Sequence, residues 1–266
     1  MAGKNWLHAA GVLWPVLVES AQKRTLTTYG ELAPLLSTNP LSMRYALEPI
    51  QNYCMEADIP PLSSIVVGVT SGQPGQGFIG WERDDIETAH KQVFSFDWNL
   101  VGNPFSGFQK DDTVESLAAQ LVGSPTDSDQ LYAKVKIRGV AQQIFRRAVG
   151  MAYEDACAVC GLTFTTALDA AHIVSWHSCT PAQRIDPRNG VLLCALHHRM
   201  FDSGIITIQD GRVRFYDPEM KDGPYSQADE QMTAQLHGTP ARLPANAALR
   251  PSEALLEAHH REHGWL

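Results

Sequence analysis

The first 75 residues alternate apolar and polar positions at helical spacing. Leu13 to Ala21 carries an apolar stripe of that period. Thr28 with Glu31 three residues later has the form of a capping box and predicts a second helix start. Asn39-Pro40-Leu41-Ser42 predicts a third start, with Met43, Leu47, Ile50 and Met55 on one face of a helix that runs to about Ala57 and is stopped by Pro60-Pro61. Leu62 to Val69 is rich in β-branched residues and reads as a buried strand, followed by the turn-rich stretch Ser71 to Gly77. Three short helices, a strand and a turn resemble a winged helix. Asp85 to Trp98 predicts one more helix.

The pattern loosens from about 101 to 128, where Gly, Pro, Ser and Asp cluster around a short helical stretch, Thr113 to Leu121. This predicts a domain at 1–100, a linker at 101–128 and a second domain at 129–266. In that second domain Val140, Ile144, Phe145 and Ala148 form a helical stripe flanked by Arg138, Arg146 and Arg147. The proline-bearing tail predicts little regular structure before a final helix capped at Ser252. The longest early apolar stretch, Ala9 to Val18, is broken by Trp14-Pro15 and falls well short of the ~20 residues of a membrane span. No small-residue cleavage site follows it, so the pattern predicts neither a membrane anchor nor a secretory leader, and a cytoplasmic protein is expected.

Composition changes this picture in one respect. The 266 residues carry a formal net charge of −8 with 44% hydrophobic residues, ordinary for a folded chain and too apolar for a disordered one. The charge is uneven: residues 1–127 hold 7 basic and 14 acidic side chains, residues 128–216 hold 10 and 7, and residues 217–266 hold 4 and 8. A polyanion would therefore meet the middle segment first, because phosphate binding follows local cation density. Five cysteines, at 54, 157, 160, 179 and 194, do not suit a disulfide framework.

Four residues do suit a metal. Cys157-x-x-Cys160 and Cys194-x-x-His197 are two tight pairs, each able to wrap an ion from one turn, and together they supply the fourfold S/N shell of tetrahedral zinc. Such a closed site is structural, and its ion folds a segment with little core of its own. Gly161 suits the reversal after the first pair. His177 and Cys179 lie between the pairs and are weaker candidates, since Cys194-x-x-His197 matches the partner turn better. Between and beside the pairs lie His172 in a strand-like run, Asn189 in a loop, and His198, which opens a helix. A zinc tying the two turns together predicts a hairpin and a helix with His172 facing His198.

In that arrangement His172, Asn189 and His198, framed by the two metal pairs, resemble the HNH nucleases of the ββα-metal fold. The resemblance extends through Arg138, Gln142-Gln143-Ile144-Phe145-Arg146, Tyr153, Ala170-Ala171-His172-Ile173, Asn189-Gly190-Val191-Leu192-Leu193-Cys194 and His197-His198-x-x-Phe201-Asp202-Ser203-Gly204. It covers about residues 130–216 and is similar to the branch found in modification-dependent restriction endonucleases. The resemblance implies an α+β chain with a zinc-stabilised ββα-metal domain that hydrolyses phosphodiester bonds of double-stranded DNA. His172 is the implied general base, its unperturbed pKa near ~6.5 suiting proton transfer at neutral pH. His198 is the implied ligand of a catalytic Mg²⁺ or Mn²⁺, and Asn189 the brace of the loop or a member of the metal shell. Arg138, Arg146, Arg147 and Arg188 are the expected DNA contacts, with Arg184 and Arg199 as further surface cations. Many members carry a metal ligand just before the base; here Ala171 stands there, so the second ligand is expected from Asp186, Asn189 or Asp202, or water fills the gap, while Asp169 is expected to hydrogen-bond within the hairpin.

Thr28-Tyr29-Gly30-Glu31-Leu32-Ala33, Asn39-Pro40 and Ile59-Pro60-Pro61 weakly resemble the winged-helix part of alkyltransferase-like DNA proteins. Leu62-Ser63-Ser64 replaces the reactive cysteine of the active enzymes, so alkyl transfer is not expected. The expected function is a restriction or defence endonuclease whose N-terminal domain selects a specific or modified DNA site, a homodimer being the simplest route to cutting both strands. A zinc-stabilised DNA-binding module without hydrolysis is the alternative.

Overall fold

The computed structural model describes residues 5–135, 137–217 and 223–265. Helices and two-stranded sheets mix in an α+β chain. The chain divides into one unit of Met1–Thr113 with Lys134–Val140 and a second of Val114–Ala133 with Ala141–Leu266. Among the described residues no helix is long and apolar enough to cross a membrane.

The first unit is built on α1 (Trp6–Gln22), whose first turn is capped by Asn5: its Oδ1 accepts from the amides of Leu7 and His8. Pro15 inside α1 has no N–H to offer the turn below, and the Gly11 carbonyl accepts instead from Asn103 Nδ2 at 2.8 Å. Strand β1 (Thr27–Thr28) leads into α2 (Tyr29–Leu32), where Thr28 and Glu31 form the expected capping box. Helix α3 (Met43–Glu56) packs on α1. Its inward face is Met43, Leu47, Ile50 and Cys54; Met55, expected inside, is half exposed, because the helical repeat brings 54 rather than 55 under Ile50. The Cys54 thiol is pushed up to about 12 by burial, the opposite of an activated nucleophile.

The strand expected over 62–69 is shorter. Leu62–Ile65 is a 3-10 turn and only Val66–Val67 (β2) is extended, pairing with β1 in parallel. The cause is packing: the turn is fully buried against α1, α3 and α4 (Ile86–Ser95), and a tight turn presents Leu62 and Ile65 to these helices where a strand would alternate them. Among the described residues of this unit, β1 and β2 form its single sheet, and no antiparallel hairpin follows α3.

Helix α5 (Val114–Gly123) belongs to the second unit, as do α6 (Ser128–Val135) and α7 (Arg138–Ala152) apart from the residues of each that fall within Lys134–Val140. The expected stripe of α7, Ile144, Phe145 and Ala148, is buried. Strands β3 (Leu168–His172) and β4 (Gly190–Cys194) pair antiparallel, with Leu168 opposite Cys194 and His172 opposite Gly190. Helix α8 (Ala195–Asp202) packs on both strands. Gly190 sits where a Cβ would strike Val149 and the Phe145 ring at under 3 Å, so glycine is what lets α7 lie against β4. A hairpin of β5 (Ile206–Gln209) and β6 (Arg212–Phe215) follows. The tail holds more structure than expected, with α9 (Gln227–Met232) before α10 (Glu253–Glu262). Ser226 gives α9 a capping box with Asp229, a signal that lies in the sequence.

Candidate metal centre and active site

The end of α7 runs into a knuckle. The Leu162 carbonyl accepts from the Cys157 amide, the Cys157 carbonyl accepts from the Gly161 amide, and Gly161 has φ +74°, a left-handed value that favours glycine. The Ala158 amide donates to the Leu192 carbonyl at 2.8 Å, which fastens the knuckle to β4. Cys194 closes β4 as the N-cap residue of α8, and His197 lies in the first turn of that helix. The four side chains meet: every donor atom of Cys157, Cys160, Cys194 and His197 lies within 4.8 Å of the others.

This geometry fits zinc. Tetrahedral donors at Zn–S and Zn–N bond lengths stand roughly 3.8 Å apart. The observed spacings are 3.9 Å from Cys160 Sγ to Cys194 Sγ, 3.7 Å from Cys157 Sγ to His197 Nδ1, and 3.1 Å from Cys194 Sγ to the same nitrogen. His197 Nε2 donates to the Met232 carbonyl at 2.8 Å, which places the ring proton there and leaves the Nδ1 lone pair facing the sulfurs. A hydrogen bond from Cys194 holds the Cys157 thiol well below its ordinary value, toward the thiolate that ligates metal. Cys179 Sγ instead lies 3.7 Å from the Trp176 carbonyl, and neither it nor His177 belongs to the group. Among the described residues this is the single group of three or more such donors so closely gathered.

His172 lies at the end of β3, beside a pocket of about 320 Å³ that His198 and Asp202 also line. The His172 ring stacks on Phe145 with centroids 3.8 Å apart and planes 13° apart, and Trp176 meets it edge-on at 5.9 Å. Its Nε2 donates to the Arg184 carbonyl at 3.0 Å, so Nδ1 is the nitrogen left with a lone pair. Burial lowers its pKa from 6.5; the Arg184 carbonyl and the charges of Asp202 and Asp169 oppose this, while His198 adds to it. The imidazole is thus neutral near pH 7 and in one tautomer.

The carbonyl that orients His172 is itself held. Arg184 donates to the Tyr132 hydroxyl at 2.7 Å and lies over the rings of Tyr132 and Trp176. Asn189 is fully buried; its Oδ1 accepts from the Val174 amide, and its Nδ2 donates to the carbonyls of Val174 and Gln183. Gln183 precedes Arg184, so Asn189 sets the loop that carries the orienting carbonyl. With these three bonds its amide is a brace, and its oxygen is already engaged by backbone. Asn189→Ala leaves three part-buried backbone groups short of a partner and is expected to cost about 2 kcal/mol. Denaturant unfolding measures this; a cost below about 0.5 kcal/mol would show the loop to be held by other contacts.

His198 stands on α8 with a carboxylate near each ring nitrogen: Asp169 Oδ2 is 3.8 Å from Nδ1, and Asp202 Oδ2, one turn along the helix, is 3.3 Å from Nε2. Asp169 also accepts from the Ala170 amide and pairs with Arg146 at 3.6 Å. Ala171 is buried in the core. Of the second-ligand candidates, Asp186 is clamped by Arg188, whose Nε and Nη2 donate to both its oxygens, and Asn189 is spent on the loop. Asp202 is the candidate that lies beside His198. A protein imidazole with one or two carboxylates suits Mg²⁺ or Mn²⁺, which keep waters and take the rest of their shell from substrate phosphate. Among the arginines, Arg146 also donates to the Leu168 carbonyl, Arg147 pairs with Glu115 and Asp155, and Arg138 opens α7. Arg199, exposed on α8, has no ion pair among the described residues.

Sequence reasoning missed three contributors. Phe145 was placed on the α7 stripe as core, yet its ring is the floor under His172; the glycine opposite His172 was the available clue. Glu262 and His263, from α10 and the turn after it, line the same pocket as His172 and His198. Nothing local in the sequence marks them.

With that geometry in place, the family comparison is specific. Residues 157–209 match the family model described as HNH endonuclease, so the second unit carries an HNH domain. The matched span takes in all four candidate zinc ligands together with His172, Asn189 and His198. No curated protein matches the chain.

Proposed function

We propose that the protein is an endonuclease that hydrolyses phosphodiester bonds in double-stranded DNA. The observation that carries this reading is the neutral His172 ring, fixed by the Arg184 carbonyl, on the same pocket as His198. In this reading His172 Nδ1 accepts a proton from water as the water oxygen bonds to phosphorus, and the bond to the 3′ oxygen breaks. A Mg²⁺ or Mn²⁺ ion held by His198 and Asp202 would supply charge stabilisation at the scissile phosphate and the leaving oxygen. Asn189 positions the loop behind His172. Zinc at Cys157, Cys160, Cys194 and His197 holds the knuckle, β4 and α8 together and takes no part in the reaction.

Arg199 offers an unpaired cation for a backbone phosphate. Arg138, Arg146 and Arg147 are assigned to the same role, while Arg188, clamped on Asp186, stiffens the loop near Asn189. The N-terminal residues 1–100 are assigned to winged-helix-like recognition of a specific or modified site, residues 101–128 to the linker and 129–266 to the nuclease domain. The role is restriction or defence in a prokaryotic cytoplasm, and a homodimer would present two sites to the two strands.

The test is digestion, with Mg²⁺ or Mn²⁺, of unmodified, methylated, hydroxymethylated and phosphorothioated duplexes. Cleavage of one class above the others is expected. Equal cleavage of all four would reject selection by modification, and binding without cleavage of any would leave a zinc-stabilised DNA-binding module instead.

A further inference from the structure

The loop whose Arg184 carbonyl orients His172 is held from two sides, and one of them lies outside the span that matches the HNH family. From inside that span Asn189 bonds the Gln183 carbonyl. Thr180 and Gln183 add a reciprocal pair: the Thr180 amide donates to Gln183 Oε1, and the Gln183 amide to Thr180 Oγ1. Arg184 is held by its side chain, which reaches out of the span to Tyr132 on α6. Its Nη1 donates to the Tyr132 hydroxyl at 2.7 Å and its Nε to the Trp176 carbonyl at 3.4 Å. The guanidinium carbon stands 5.6 Å from the Tyr132 ring centre and 5.2 Å from that of Trp176. Among the described residues no carboxylate pairs with it.

Trp176 also links the two rings directly. It lies 6.4 Å from Tyr132 and meets the His172 ring edge-on at 5.9 Å. Tyr132 therefore supports both contacts that set the imidazole: through Arg184 the carbonyl that takes the Nε2 proton, and through Trp176 the ring at its edge. A base works only while its lone pair points at the water it deprotonates, so a small rotation of the ring is costly. The phenol hydroxyl is the polar group by which α6 reaches this loop through Arg184.

We infer that Tyr132 is a positioning residue for His172: its hydroxyl anchors the Arg184 side chain, and thereby the backbone carbonyl that holds the imidazole toward the pocket. Tyr132 touches no reacting atom. The inference rests on His172 being the base of the proposed nuclease, and one of its two measurements needs no cleavage. In the zinc-loaded full chain without DNA, the bonded His172 Nε2 proton should give a resolved ring N–H resonance, assigned by its loss in His172→Ala. Tyr132→Phe keeps the ring and removes the acceptor. It should broaden or abolish that resonance through exchange with water, at unchanged zinc content and circular dichroism. The kcat for DNA cleavage should fall about tenfold with KM unchanged, and further in Tyr132→Leu, which lacks the ring as well. If Arg184 served a DNA phosphate instead, disturbing its anchor would change KM and leave the resonance as in the wild type. Should Tyr132→Leu unfold, Tyr132→Phe alone decides. A wild-type resonance or a wild-type kcat in the folded variants overturns the inference, as does a wild-type chain whose His172 proton already exchanges freely. A chain that cuts no DNA, yet loses the resonance on substitution, keeps the linkage from Tyr132 through Arg184 to His172 and rejects the nuclease reading.

Discussion

Replacing His172 by alanine is expected to lower the DNA-cleavage rate by about 10²–10⁴-fold, the range a positioned general base contributes. Zinc content and the helical circular dichroism should stay at wild-type values, since His172 is not among the clustered zinc donors. Cleavage that survives the substitution removes His172 as the base. A pH profile gives an independent reading. Burial lowers the His172 pKa from 6.5, so the neutral, active form persists into mild acid. The rate should rise with pH along a limb centred below 6.5 and be flat at neutrality. A limb centred at or above 6.5 would mean that another group, or an unburied imidazole, takes the proton. Stability moves the same way: a folded-state pKa below the unfolded value gives stability that is full above 6.5 and is lost as pH falls through the folded value. His259, pushed down to about 4 by burial, contributes over the window from 6.5 to 4. Denaturant midpoints should therefore be lower at pH 5 than at pH 7.

Cys160→Ser is expected to have the largest effect on folding. It removes one of four clustered donors, and metal binding at such a site supplies on the order of 10 kcal/mol. The variant should lose its zinc, and the second unit should be destabilised by several kcal/mol, with the knuckle, β4 and α8 released together because each contributes a ligand. Cleavage should fail as well, but through loss of structure, which separates this variant from His172→Ala. A strong chelator should reproduce the effect on the wild-type chain. A Cys160→Ser protein that keeps stoichiometric zinc and wild-type stability would reject the ligand set. Asp186 and Arg188, being paired with each other, should show no such loss of zinc.

The two metal pairs were legible because a tight turn fixes the separation of two ligands at i and i+3, and that spacing is visible in the chain itself. The capping box of α2 was legible for the same reason: Thr28 and Glu31 meet within one turn. The strand expected over 62–69 failed because β-branched composition marks burial without marking its geometry, and three helices surrounding the segment selected a 3-10 turn. Met55 failed by one position along α3, where the helical repeat favours Cys54. Asn189 was left between brace and ligand, and only the tertiary structure reveals the three backbone groups bonded to its amide.

What the sequence determined by itself was local: ligand identities, turn glycines, helix starts and the basic character of the middle segment. The tertiary structure decided which distant groups share a space. The Arg184 carbonyl meets His172 across a loop, Phe145 reaches it from α7 over Gly190, and α10 (Glu253–Glu262) returns to the pocket from far downstream of His172. Such contacts leave no short-range spacing, because they arise from burying apolar faces of separate elements against one another, and many sequences satisfy the same burial.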